Sequence, residues 1–178
     1  AQQLREGLRV LLNVASGHTG KPYDIGEMYI GTIHSLCQQL LSDRRFAPNR
    51  ARDKAPRLLD DLGQYFYLYQ KRNWTDLTSA VGLGDDPEKT INEFFEGFES
   101  QSRHRAVVNC RSLFNRLSEE CIDPEEAKEQ ASDSTLRALL DLYAEYQKSI
   151  EDRQQIPHTD FSLLQQHAVD YLSEASES

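Results

Sequence analysis

Leucines, isoleucines and aromatic residues recur every three or four positions along most of this chain, the spacing of one face of a helix rather than the alternation of a strand. Leu4, Leu8, Leu11 and Leu12 predict an amphipathic helix over 2–13, and the Gly and Pro content of 16–22 predicts a loop after it. Leu36, Cys37, Leu40 and Leu41 predict a helix over 33–42, followed by an irregular basic connector over 46–56. Leu58, Leu59, Leu62, Tyr65, Phe66, Leu68 and Tyr69 predict a helix over 57–72, and Trp74, Leu77 and Val81 a further turn or two over 73–84. Asp86-Pro87 and Asp123-Pro124 read as helix starts, because Asp caps free amides and Pro fits the first helical position. Ile91, Phe94, Phe95 and Phe98 follow the first start, and Val107, Cys110, Leu113, Phe114 and Leu117 predict a helix over 107–117. The longest helix spans 132–152, with Leu136, Leu139, Leu140, Tyr143, Tyr146 and Ile150 in register. Ile156-Pro157-His158 breaks it, Thr159-Asp160-Phe161 opens a last helix, and 173–178 is a polar tail expected to fray.

Only 27–31 reads as a strand, and no internal repeat is visible. The fold class is therefore mainly α, a helical bundle-like unit with at most one or two short strands, and the sheet that strand would join is expected outside this chain. Tyr65, Phe66, Tyr67, Tyr69, Phe94, Phe95 and Phe98 are able to stack on nucleobases, but helical spacing assigns most of them to the core. Trp74, beside Arg72 and Asn73, is the aromatic whose exposure matters most.

Composition narrows the reading. Of 178 residues, 38% are hydrophobic and 28% charged, with a mean hydropathy of -0.67, which favours long helices with large solvated faces over a thick core. No apolar run is long enough to span a membrane and no signal-peptide pattern opens the chain, so a cytoplasmic protein is expected. The start at Ala1 without Met suggests a processed product or a piece of something longer. Cys37, Cys110 and Cys121 have neither C-x-x-C nor zinc-site spacing, and reduced buried thiols are expected.

The net charge of -9 argues against broad non-specific nucleic-acid binding, but the charge is segregated. Six basic residues over 43–57, among them Arg44, Arg45, Arg50 and Arg52, face two acids. Over 101–116, Arg103, Arg105, Arg111 and Arg116 face none. Acids dominate 85–99 and 119–133. This permits a positive face on an acidic protein, although solvated helix faces would produce the same pattern.

Candidate chemistry concentrates at Tyr29-Ile30-Gly31-Thr32-Ile33-His34-Ser35-Leu36-Cys37. A strand breaking at Gly31 into a helix with Thr, His and Ser on its first turn gathers hydroxyls and free amides where the helix dipole favours an anion. Enzyme signatures are missing: Gly-x-x-x-x-Gly-Lys-Ser/Thr, Gly-x-Ser-x-Gly and His-Glu-x-x-His do not occur, and Gly17-His18-Thr19-Gly20-Lys21 has the wrong spacing for a phosphate loop. His158 and Asp160 suit helix capping better than acid–base work.

Gly31-Thr32-Ile33-His34-Ser35-Leu36-Cys37 resembles motif Ib of the UvrD/Rep family of superfamily 1 DNA helicases, with Leu36 in place of the usual Phe. Tyr143-x-x-Tyr146-Gln147 followed by Asp160-Phe161-x-x-Leu164 resembles the family's Tyr-x-x-Tyr-Gln helix and Asp-Phe-x-Asp-Leu segment, without its second Asp. Ala1 to Leu8 is similar to the end of motif Ia. The resemblance implies a piece of an ATP-dependent helicase active in DNA repair or replication. Residues 1–45 and 157–178 would belong to the first RecA-like domain, and 46–156 would form the inserted helical 1B subdomain. ATP and Mg would act in the parent protein, with no cofactor in this chain. The partners implied are single-stranded and duplex DNA and the remaining helicase domains, with no membrane. Thr32 would bond a strand phosphate, with His34 and Ser35 beside it as phosphate contacts or as supports of the turn. Arg44, Arg45, Arg50, Arg52, Arg103 and Arg105 would guide DNA. Asp160, with Phe161, would cap its helix and hold the Ib region. The alternative is a stand-alone helical protein-interaction module with no catalysis.

Overall fold

The computed structural model describes residues 2–23, 30–42, 56–151 and 158–176. Among these, nine helices and two short strands follow in the order α1 (Gln2–Thr19), α2 (Ile33–Ser42), β1 (Arg57–Leu59), α3 (Asp61–Tyr69), α4 (Lys71–Ser79), α5 (Pro87–Glu96), α6 (Arg103–Glu119), α7 (Pro124–Gln130), α8 (Ser134–Glu151), β2 (His158–Asp160) and α9 (Phe161–Ser176). The architecture is mainly α, as the apolar spacing predicts. Both Asp-Pro starts are real: Asp86 accepts from the Lys89 amide at 3.1 Å, and Asp123 from the Glu125 and Glu126 amides at 2.8 and 3.0 Å. Asp60 caps α3 and Asp133 caps α8 in the same way.

One core draws on α3, α4, α5, α6, α8 and α9. From α8 it receives Leu139, Leu142, Tyr143, Tyr146 and Ile150, all fully buried, at the spacing that places them on one face. The Phe114 ring from α6 stacks on Tyr146, with centroids 5.1 Å apart and planes at 22°. Leu68, Trp74, Ile91 and Leu163 close the core from α3, α4, α5 and α9. Trp74 is buried, and its indole N–H donates to Glu88 Oε1 at 3.0 Å. A smaller cluster, Cys37, Leu164 and Ala168 with Leu41 and Leu58, fastens α2 to α9 and β1.

Several sequence expectations are corrected. Residues 57–59 are a strand, not the first turn of a helix: β1 pairs in parallel with β2, Arg57 opposite His158 and Leu59 opposite Asp160. The partner lies about a hundred residues away, so no local pattern marks it, and Asp60 then starts the helix that 57–72 suggested. Ile30 and Gly31 are not in a strand, and the rest of the expected strand at 27–31 lies outside the described residues. Among the described residues the sheet is β1–β2. Helix α1 continues through the expected loop to Thr19, tolerating Gly17, and stops where Gly20 takes a positive φ of 66°.

The aromatics are less buried than their spacing suggested. Tyr67 lies in the core, but Phe66, Tyr69, Phe94, Phe95 and Phe98 are exposed. Gln64, Tyr67 and Leu68 occupy the inward face of α3, and Ile91 and Asn92 that of α5, so Phe66, Tyr69, Phe94 and Phe95 face outward, while Phe98 lies beyond the end of α5, which stops at Glu96 before Gly97. Cys37 and Cys110 are buried, whereas Cys121 is exposed at the end of α6. No described helix is long and apolar enough to cross a membrane.

Candidate nucleic-acid interface at the start of α2

Thr32 and Ser35 build the helix end between them. The Ser35 amide donates to Thr32 Oγ1 at 3.2 Å, and the Thr32 amide donates to Ser35 Oγ at 2.9 Å. The Ser35 hydroxyl donates to the Thr32 carbonyl at 2.9 Å, and the first helical bond, from the Leu36 amide to the same carbonyl, is 3.0 Å. This is a reciprocal cap of Thr-x-x-Ser form. It satisfies the Thr32 and Ser35 amides and leaves those of Ile33 and His34 with no partner among the described residues. Thr32 and Ser35 are exposed. Both hydroxyl protons are engaged within the cap, since the Thr32 hydroxyl donates to Ser35 Oγ at 3.1 Å, so it is the two unpartnered amides and the positive end of the dipole that make this end chemically suited to an anion.

A groove of about 330 Å³, lined by Leu4 and Leu8 of α1 and by Ile30, Gly31, Thr32, Ile33 and Leu36, lies beside this helix end. Its walls are apolar apart from Thr32, so charge recognition belongs to the helix end and not to the groove.

The half-buried His34 side chain meets α9. Its Nε2 lies 2.7 Å from Nε2 of Gln165, and its ring centroid is 4.4 Å from that of Phe161, with planes at 57°. Phe161 and Gln165 are four residues apart and share a face of α9.

Asp160 is buried beneath α9. Its Oδ1 accepts from the Leu163 amide at 2.8 Å, which caps α9. Its Oδ2 accepts from the Tyr146 hydroxyl at 2.7 Å and from Gln64 Nε2 at 3.0 Å. Burial pushes this carboxyl above the usual range, and the Leu163 and Tyr146 hydrogen bonds hold it back. Burial and the Asp160 charge together push the Tyr146 hydroxyl well above its ordinary value. Tyr143 and Gln147 complete the block: the Tyr143 hydroxyl shares a 2.7 Å hydrogen bond with Ser118 and receives one from Gln147 Nε2 at 2.9 Å. Leu163, which stands where the resembling family has its second Asp, is fully buried in the core, an environment hostile to an unpaired carboxylate.

The arginines fall elsewhere. Arg44, Arg45, Arg50 and Arg52 lie outside the described residues. Arg103 and Arg105 open α6 and face carboxylates of α5: Arg103 Nε is 3.1 Å from Glu88 Oε1, and Arg105 Nη1 is 2.8 Å from Glu96 Oε2. The Arg105 guanidinium also lies 5.5 Å over the Phe98 ring. Its hydrogen bond holds the Glu96 carboxyl below its usual range. The structure thus joins Thr32, His34 and Ser35 to Phe161, and through α9 to Asp160, while Arg103 and Arg105 form a separate cluster on α5 and α6. Sequence reading missed Gln64 and Gln165, both ordinary glutamines locally, whose partners lie 96 and 131 positions away.

No group of three His, Cys, Asp or Glu among the described residues is arranged to hold a metal ion, and the sequence has no phosphate loop. The chain matches the family model described as UvrD/REP helicase N-terminal domain over residues 1–178. No curated protein and no solved structure matches it. With the match running the length of these residues, and the Thr32–Cys37 and Asp160-Phe161 landmarks in their expected order, the chain belongs to the UvrD/REP helicase N-terminal domain family.

Proposed function

We propose that this chain is the part of an ATP-dependent DNA helicase that holds a single strand by its phosphates, at the start of α2. The observation that carries the reading is the exposed Thr32–Ser35 cap with unpartnered Ile33 and His34 amides, in a chain of a helicase family. Contacts of this kind take any sequence and weaken with salt, as a translocating enzyme requires. Residues 46–156 act as the inserted 1B subdomain, guiding duplex or strand. The support for this is the β1–β2 pair, which sets the start of the α3–α8 block beside its end. Arg44, Arg45, Arg103 and Arg105 are auxiliary DNA contacts in this reading, with the latter two released from α5 carboxylates on binding. ATP and Mg act through other parts of the parent protein, in DNA repair or replication.

Fluorescence anisotropy with a labelled single-stranded oligonucleotide at low salt tests the reading. Thr32→Asp keeps a side-chain cap but places a negative charge where the phosphate would sit. The expected result is unchanged helicity by circular dichroism with affinity reduced at least about tenfold, as befits losing a charge-assisted contact and gaining a repulsion. Wild-type affinity in Thr32→Asp would sink the proposal and leave the protein-interaction reading in its place.

A further inference from the structure

Helix α2 is held on α9 unevenly. Cys37 and Leu41 pack against Leu164 and Ala168, which secures its later turns. Its first turn has little apolar anchorage, since Ile33 is 69% and Leu36 38% exposed. His34 supplies the tie there: Phe161 lies against the ring and Gln165 meets its Nε2 at 2.7 Å. In this arrangement the Gln165 amide N–H points at the imidazole Nε2, which then accepts and leaves the ring proton on Nδ1. Phe161 and Gln165 are in turn fixed by the α9 cap, because Asp160 is bonded to Tyr146 of α8 and Gln64 of α3. The contacts are continuous from the bundle, through Asp160 and the first turns of α9, to the anion-facing end of α2.

We propose that Gln165 is a positioning residue for that helix end, acting through His34. It selects the Nδ1–H tautomer and fixes the ring between itself and Phe161, so that the Ile33 and His34 amides keep one direction. This rests on the reading of α2 as the phosphate-binding element, but its structural claim is separable. A ring gripped on its Nε2 edge by α9 serves the site by orientation, not by offering that nitrogen to a phosphate.

Nuclear magnetic resonance on the whole chain tests it. At about pH 8, where a histidine ring is neutral, imidazole nitrogen shifts report the tautomer. The expected result is Nδ1–H for His34 in the wild type and a move toward Nε2–H in Gln165→Leu. Exchange of the bonded amides of this turn, Ser35 and Leu36, should quicken in Gln165→Leu and in His34→Ala, by about fivefold for loss of one half-exposed hydrogen bond. The double variant should be no worse than His34→Ala alone, because the glutamine acts only through the ring. Single-strand affinity should follow the same non-additive pattern. An Nε2–H ring in the wild type, unchanged exchange at Ser35 and Leu36 in Gln165→Leu, or additive effects would overturn the proposal. Absence of DNA binding by the wild type would instead overturn the phosphate-binding reading, while tautomer and exchange still decide the role of Gln165.

Discussion

Replacing Tyr146 by Phe removes one oxygen from the buried polar site that it shares with Asp160 and Gln64. The ring stays, stacked on Phe114, so the change is confined to the hydroxyl. That hydroxyl donates to Asp160 Oδ2 at 2.7 Å, and Tyr146 is fully buried, so no water takes its place. A hydrogen bond to a charged acceptor contributes about 1.5–3 kcal/mol, and Gln64 still serves the same oxygen, which points to about 2 kcal/mol. For a chain of this size that is about 4–8 °C in Tm. The loss should also depend on pH. Because burial raises the carboxyl pKa of Asp160 in the folded state, its titration favours the fold fully below the unfolded value, and that contribution is lost as pH rises through the folded value. The Tyr146→Phe substitution would raise the folded value further, since the carboxylate loses a donor. The gap between wild type and Tyr146→Phe should therefore be widest at neutral pH and narrow to about 1 kcal/mol once Asp160 is protonated, when only a neutral hydrogen bond is at stake. Urea denaturation at a series of pH values measures this. A deficit under about 0.5 kcal/mol at neutral pH, or one that does not shrink on acidification, would refute the account of Asp160 as a buried carboxylate held by Tyr146.

Cys121→Gly should stabilise the chain by about 1 kcal/mol in chemical denaturation, because Cys121 holds a left-handed φ of 51° where α6 ends with Ile122 N–H donating to the Leu117 carbonyl, a position that favours glycine. Glu88→Ala should weaken the fold by about 1–3 kcal/mol and shift the emission of the single tryptophan, since Glu88 Oε1 accepts from both Trp74 Nε1 and Arg103 Nε; unchanged emission would contradict that pairing. Phe114→Ala should remove about 3–5 kcal/mol, read by denaturant midpoint, because the ring fills the space between Tyr143 and Tyr146.

What the sequence revealed and what it hid divide along chain distance. Helix α8 was legible because Leu139 to Ile150 write their own period, and α5 and α7 because Asp-Pro is a local signal. The strand β1 was not, since Leu58 and Leu59 continue the apolar run of α3 and their partners stand at 159 and 160. The exposed faces of Phe66 and Phe94 were hidden for a related reason: spacing says which residues share a helix face, and only the neighbouring helices decide which face is covered. In the candidate site, Thr32 and Ser35 were readable as a helix start. Gln165 was not, because its significance depends on α9 lying against α2.

The β1–β2 pair also bears on how the chain assembles. Each strand has three residues, and the chain between them is about a hundred residues long. Closing a flexible loop of that length costs about 4 kcal/mol of chain entropy, more than so short a parallel ladder returns by itself. The pairing can persist only when α3 to α8 have already drawn its ends together. Folding should therefore run outward, from local helix pairs such as α5 with α6 and α7 with α8, to the strand pair, and only then to the seating of α2 on α9. On that order the anion-facing turn at Thr32 is the last feature to take shape, and a weakened bundle would lose it before losing most of its helix.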